Sequence, residues 1–429
     1  MLTGRKYRLD LTQEQAEFAE RIGGACRSVW NTALEQRQIY RRRGGWIGYH
    51  DQARQLAEAK VDFEWLAEAP GHCLQQTLID LDQACARHGT WNVRWKSRVR
   101  NAPSFRFPEG GKIAIQRLNR RWGRAKLPKL GWVRFRITRP LGGKVKSATV
   151  SRDGEHWYIS FLVEDGIAPP ERHASPGSGV GIDRGVVKVV TRSDGIFHHQ
   201  VFARDREVEH AKKFQRGLAR TKKGSQRRKR AAARVADLAR KVGRRRQDFA
   251  AKTAHTLATS FELVVFEALA TKNMTAAVEP KPDPERPGAF LPNGAASKSG
   301  LNRSILDKGW HRVELATRSK ARYTGTHVIS VDPAYTSQTC NVCTAVDRKS
   351  RESQAVFWCT ACGHIEHADV NAAKNILTAG RAEHAQPRPG VRVGARKPRD
   401  SVGRKANRQA TAAQGHATAS PELAGIPRL

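Results

Sequence analysis

Between Phe18 and Ala33 the apolar residues fall at helical intervals, with Phe18, Ile22, Cys26, Val29 and Ala33 sharing one face and polar residues filling the other. This pattern predicts a long amphipathic helix running toward Arg43. Thr12 and Gln15 ahead of it have the spacing of a capping box, and Gly44-Gly45 supply a stop. Residues 6–9 alternate weakly and predict one short strand before the helix. Two further helical blocks follow, at 50–60 and, after Pro70, at 71–86. From Ser104 the period shortens to two. SFRFP, IAIQRL, WVRFRI and ATVSRDGEHWYISFLV alternate, with Val133, Phe135 and Ile137 to one side and Arg134 and Arg136 to the other. Asp153-Gly154 separates two such runs as a hairpin turn. The block predicts a small antiparallel barrel with a basic outer face.

Residues 169–179, PPERHASPGSG, are a linker by composition. Beyond them the pattern becomes α/β. Val180-Gly181-Ile182-Asp183-Arg184-Gly185 begins a strand that residues 186–191 are expected to continue. Between Lys212 and Arg246 Lys and Arg crowd the chain, yet Phe214, Leu218, Val235, Leu238 and Val242 interleave with them. That interleaving predicts a pair of helices with a basic outer stripe facing a phosphate backbone. Phe261 to Glu267, FELVVFE, reads as a buried-sheet strand ending on a charge. Residues 276–299, rich in Pro, Gly and Ala, are expected to form a mobile loop. Leu306, Trp310 and Val313 mark the next helix, 327–331 another strand, and Val370, Ala373 and Leu377 a last helix. Residues 380–429 lose all periodicity and are expected to be a disordered basic tail.

Charge turns this scaffold into a binding protein. The 77 Lys and Arg outnumber the 40 Asp and Glu, for a formal net charge of +37. Such an excess predicts a polyanionic partner, most often nucleic acid. No apolar run approaches a membrane span, so no membrane partner is expected. The N-terminal MLTGRKYRLD lacks the apolar stretch of a secretory signal. Cys26, Cys73 and Cys85 fall in helical patterns as the free thiols of a reducing compartment. The expected location is cytoplasmic, at the nucleoid.

The other four cysteines carry chemistry. Cys340, Cys343, Cys359 and Cys362 are spaced C-x2-C-x15-C-x2-C. Each pair sits on a tight knuckle, and two knuckles complete a tetrahedral thiolate set that suits one Zn2+ and leaves no open position, so the zinc is structural. A disulfide pair or unused thiols are the alternative that spacing leaves open. Three carboxylates far apart in sequence, Asp183, Glu267 and Asp369, each stand at or beside a strand or at a helix start in the α/β half. An open α/β sheet collects such ends along one edge. Converging there, they would hold two divalent metals about 4 Å apart, one lowering the pKa of an attacking water and the other stabilising the leaving 3′ oxygen of a phosphodiester. Taken singly, Asp183 reads equally as a turn acid, Glu267 as a solvated strand end and Asp369 as a helix N-cap.

The order GIDRG, a basic helical block, VVFEALATKNM, LNRSILDKGW, VDPAYTSQTCNVC, the second C-x2-C and HADVNAAKNIL resembles the TnpB family of transposon-encoded, RNA-guided DNA nucleases, relatives of type V CRISPR effectors. YRLDLTQEQ, GACRSVWNTAL, SFRFP and VSRDGEHWYISF resemble it too, so the likeness spans nearly the whole chain except the tail and the loop near 280–299. The resemblance implies a multidomain α+β architecture. An RNase H-like (RuvC) α/β nuclease domain, at 171–332 and 367–379, would be split by a zinc ribbon at 333–366. An OB-like wedge barrel at 1–10 and 104–170 would carry an inserted helical recognition lobe at 11–103. It implies Asp183, Glu267 and Asp369 as the catalytic acids on two Mg2+, and the four cysteines on one Zn2+. It also implies guide RNA and target double-stranded DNA as partners, one monomer per RNA, and a prokaryotic-type cell. The chain departs from the family at Ala268, where a polar or acidic residue is usual, which touches local packing only. Asp307 and Asp332 are expected to orient structure without binding metal. A DNA transposase or recombinase using the same acids, and an RNA-guided DNA-binding repressor without nuclease activity, are the competing functions. The first needs an end-binding module, and no helix-turn-helix pattern is visible. The second should lack an acid, and all three are present.

Overall fold

Strand β1 (Leu2–Asp10) alternates as a half-buried strand should, with Tyr7 and Leu9 inside and Arg8 and Asp10 outside. The structure, a computed structural model, describes residues 1–286 and 288–385. It divides into two units, the first Met1–Gly166 and the second beginning at Ile167.

In the first unit Thr12 closes the expected capping box: its hydroxyl accepts the Gln15 N–H and the Gln15 side chain accepts the Thr12 N–H, both at 3.2 Å. Helix α1 (Gln13–Arg42) follows and ends at Gly44, whose φ of +74° suits glycine. Helices α2 (Tyr49–Asp62), α3 (Glu64–Glu68) and α4 (Gly71–His88) complete the helical block, with Cys26, Cys73 and Cys85 buried and free. Strands β2 (Ser104–Phe107), β3 (Ala114–Arg117), β4 (Trp122–Leu127), β5 (Gly131–Arg136), β6 (Lys144–Asp153) and β7 (His156–Glu164) join β1. They form one seven-stranded antiparallel sheet ordered β2-β6-β7-β1-β5-β4-β3. Among the described residues the ladder stays open: β2 and β3, four residues each, are its edges, so hydrogen bonding does not close the expected barrel. β4 escapes sequence reading because Gly123 and Ala125 occupy two of its three inward positions, beside Leu127; Gly123 lies under the Phe135 ring, where a Cβ would come within 2.8 Å. Tyr7, Phe107, Phe135 and Phe161 fill the core under α1 and α4. The outer face is basic and aromatic, with Arg124 over Trp132 at 4.4 Å and Arg134 over Trp122 at 4.9 Å.

The second unit starts with β8 (Gly179–Asp183). The strand does not continue through 186–191 as expected. It turns at Gly185 and returns antiparallel as β9 (Val190–Arg192), Ile182 opposite Arg192, and β10 (Phe197–His198) extends the meander. A Cβ on Gly185 would crowd the Lys188 carbonyl oxygen at 2.8 Å, so the turn needs glycine there. The basic run forms the expected helix pair, α5 (Asp205–Ala219) and α6 (Gln226–Ser260). β11 (Leu263–Glu267) is buried throughout, and a short α7 (Thr271–Met274) follows. The single helix expected next is two, α8 (Ala295–Lys308) and α9 (Trp310–Ala321), broken at Gly309 with φ +65°. α8 begins inside the stretch expected to be loop. Then come β12 (His327–Val331), the small hairpin β13 (Val356–Trp358) and β14 (Ile365–His367), and α10 (Ala368–Ala385). α10 runs past Gly380, where the tail was expected to begin; residues 386–429 of that expected tail lie outside the described residues. The main sheet is ordered β10-β9-β8-β11-β12, with β8, β11 and β12 mutually parallel. Val264 and Phe266 face α6 and α9, while Leu263, Val265, Ile329 and Val331 pack with Ile376 of α10. The chain is a multidomain α+β protein with three sheets among the described residues.

Candidate active site and metal centre

Alternation aims the acids. Gly179, Gly181 and Asp183 share one side of β8, and Leu263, Val265 and Glu267 share one side of β11. These strands pair in parallel with Ile182 opposite Phe266, so Asp183 and Glu267 leave adjoining strand ends on the same face. α10 lies across that face because Gly181 has no side chain: a Cβ there would fall on the Ala373 carbonyl oxygen. Gly380 makes the same room for the Val265 methyls. The first turn of α10 then sets buried Asp369 beside the two strand ends, with its Oδ2 3.9 Å from where a Cβ of Gly185 would be. The structure thus brings the three acids to one face.

Asp183 feels the other two acids. Burial raises Asp183 first, the charges of Glu267 and Asp369 add to it, and its pKa reaches about 7 against partial relief from Arg351. Burial also raises Glu267, offset by the Thr336 hydroxyl and by Arg184 and Arg351. Thr336 donates to Glu267 Oε1 at 2.8 Å, and Arg351 Nη2 reaches Asp369 Oδ1 at 3.2 Å. Behind the sheet, buried Arg184 donates to the Glu267 carbonyl and, at 3.0 Å, to Glu314 of α9, tying two acid-bearing strand ends to a helix. Thr336, Arg351 and Glu314 were not legible as part of the site, because each reaches it over a stretch of chain. The role of Arg184, next to Asp183, was hidden because its partners Glu267 and Glu314 lie 83 and 130 residues away. Asp307 pairs with Arg246, and Asp332 Oδ1 accepts the Ala334 N–H at 2.9 Å, so both serve local structure. Ala268 contributes its backbone, donating to the Val331 carbonyl at 2.8 Å.

The cysteines form a separate centre. Their ligand atoms all lie within 4.8 Å of one another, the one such cluster among the described residues; the three carboxylates share a face without closing to that spacing. The Sγ atoms of Cys340 and Cys362 are 3.8 Å apart and those of Cys343 and Cys359 3.5 Å. A tetrahedron with Zn–S of about 2.3 Å has an edge of about 3.8 Å. All four are free cysteines, which removes the disulfide alternative. The knuckles match in backbone: Thr344 N–H donates to Cys340 O at 3.0 Å and Gly363 N–H to Cys359 O at 2.9 Å, with φ of +62° and +74° at the two donors. The cluster is consistent with a structural zinc site.

An α/β unit with acids gathered at parallel strand ends, interrupted by a four-cysteine ribbon, defines the class. Three family models match, described as "Cas12f1-like, TNB domain" over residues 310–376, "Probable transposase" over 160–278, and "Helix-turn-helix domain" over 1–45. The last segment forms β1 and one unbroken helix here. "Putative RNA-guided DNA endonuclease InsQ" of Escherichia coli K12 is 35% identical over 86% of this chain and 90% of its own length. "Putative RNA-guided DNA endonuclease" of Streptomyces pristinaespiralis is 30% identical over 89% and 90%. A solved Cas12f1–sgRNA–target DNA complex aligns at 16% identity over 88% of this chain and 99% of the Cas12f1 chain, with a TM-score of 0.28. The chain belongs to the TnpB/OrfB/Cas12f family of transposon-encoded, RNA-guided nucleases. Among the described residues no helix is long and apolar enough to cross a membrane.

Proposed function

We propose that this protein is an RNA-guided DNA endonuclease that hydrolyses target-strand phosphodiesters at Asp183, Glu267 and Asp369, next to a short flanking motif. The observation that carries the reading is the convergence of these acids on one face, where burial first, and then the charges of Glu267 and Asp369, raise Asp183 to about 7. A buried carboxylate whose ionisation is opposed by two others at a shared face marks a cation site by its chemistry, and hard oxygen donors suit Mg2+. Two bound Mg2+ would supply an activated water and charge stabilisation of the leaving oxygen. The residues do the rest: Asp183 and Glu267 hold fixed positions through paired strands, and Arg184 keeps the strand ends together.

Around this site we read an RNase H-like nuclease domain at 171–332 and 367–379, split by the zinc ribbon at 333–366. The central β8, with an antiparallel meander on one side and parallel strands on the other, supports that assignment. The sheet of the first unit, residues 1–10 and 104–170, is read as the wedge and 11–103 as the recognition lobe. The names of the two full-length relatives support a guide RNA and a DNA target, and the charge of +37 suits both. A transposase using the same acids is the second reading, favoured by the description matched over 160–278. One experiment separates them. The protein is expressed with its flanking DNA, the bound RNA is sequenced, and the guide segment is exchanged. Cutting should follow the new guide; cutting that stays at the old site, or proceeds without RNA, favours the transposase.

A further inference from the structure

The ribbon is joined to the acids by a continuous hydrogen-bonded body. Asn371, fully buried in α10 two residues past Asp369, uses both ends of its amide. Its Oδ1 accepts from the backbone N–H of Asn341 at 2.9 Å and from Asn341 Nδ2 at 2.8 Å, and its Nδ2 donates to the Thr339 carbonyl at 2.8 Å. Asn375, one turn later, donates to the carbonyls of Thr336 at 2.9 Å and Thr339 at 2.6 Å. Asn341 lies inside the first knuckle, between Cys340 and Cys343. Thr336, just ahead of that knuckle, gives its hydroxyl to Glu267 Oε1. Knuckle, helix and two of the three acids are therefore held by one set of bonds.

A buried amide hydrogen-bonded at both ends is costly to misplace, and such networks select one geometry. An apolar residue would fill the Asn371 position of a packed helix without needing three partners. The network's partners lie at the cysteine knuckle on one side and at the acids on the other.

We infer that Asn371 and Thr336 are positioning residues that couple the four-cysteine centre to the acid site, so that zinc in the ribbon strengthens divalent-cation binding at Asp183, Glu267 and Asp369. This rests on the reading of those acids as a cation site. Linkage makes the effect reciprocal: a cation on the acids slows loss of zinc from the ribbon. Outer-shell partners of metal ligands commonly contribute about 10–100-fold to affinity, which sets the scale.

The test uses the full chain, zinc-loaded, as Asn371→Ala, Thr336→Val and Asp183→Ala beside the parent. Zinc per chain is counted by elemental analysis, Mn2+ affinity is read by electron paramagnetic resonance without nucleic acid, and the Mg2+ needed for half-maximal cutting is titrated. Asn371→Ala and Thr336→Val should keep one zinc, bind Mn2+ about tenfold more weakly, and recover cutting at high Mg2+. Stripping zinc from the parent should weaken Mn2+ to a similar degree. Thr336→Val removes one hydroxyl and little shape, so it carries the test should Asn371→Ala misfold. Asp183→Ala losing Mn2+ while both positioning variants bind it like the parent overturns the coupling alone. Asp183→Ala binding Mn2+ like the parent overturns the acid site itself, and the coupling with it.

Discussion

Asp183 shows what burial beside two other acids does to a single proton. Its folded pKa of about 7 stands above the ordinary 3.8, so between those values the folded chain binds more protons than the unfolded one. The metal-free protein should therefore lose stability as pH rises from about 4 to about 7, by at most a few kcal/mol, and Asp183→Asn should flatten that slope. Thermal melts in chelator across that window read it directly, and an unchanged slope in the variant would count against the assignment. Mg2+ should offset the loss, since a cation favours the ionised form. Asp183→Ala should reduce cutting to background and leave nucleic-acid affinity and its salt dependence nearly intact, because phosphate contacts carry the affinity. The acids were legible by type and by their place beside strands or at a helix start. Arg351, Thr336 and Arg184 were not, for a physical reason: nothing in the local pattern of a ribbon arginine says that it will meet a carboxylate at the start of a later helix.

At the scale of elements, Gly181 and Gly380 let α10 lie against the sheet. Gly181→Ala would push a methyl onto the Ala373 carbonyl and lift α10 from β8, separating Asp369 from Asp183. Overpacking against backbone costs about 1–3 kcal/mol or more, and here the displacement falls on an acid, so cutting should drop further than the melting temperature alone would explain. Measuring both on one preparation checks this; full cutting in a destabilised variant would refute it. Cys359→Ser should likewise release zinc and loosen the ribbon, since small zinc modules draw on the order of 10 kcal/mol of folding free energy from the metal. Elemental analysis gives the answer. Periodicity revealed most helices and strands, because burial of one face dictates it. It failed where turns interrupt an apolar run, at Gly185 between β8 and β9 and at Gly309 between α8 and α9. It failed also in β4, where small residues facing large ones carry no hydrophobic signal.

For the whole molecule, the +37 charge was the plainest feature of the sequence, and it remains the reason to expect RNA in the purified protein. Affinity for that RNA should fall steeply with salt, with a slope that reports the phosphates neutralised. A chain ending at Ala385 keeps all of α10 and should cut nearly as well as the full chain. One that binds its guide normally and fails to cut would assign the remaining residues a role in catalysis. The order of the acids along the chain has a consequence in time. Asp183 and Glu267 leave the ribosome ahead of the ribbon, and α10 comes after it to close over β8, a contact spanning nearly the whole unit in sequence. Long-range closures of this kind come late in folding. On the proposed site, a nascent chain would thus carry two of three acids while it is still tethered beside messenger and ribosomal RNA, and would be unable to cut until α10 has closed.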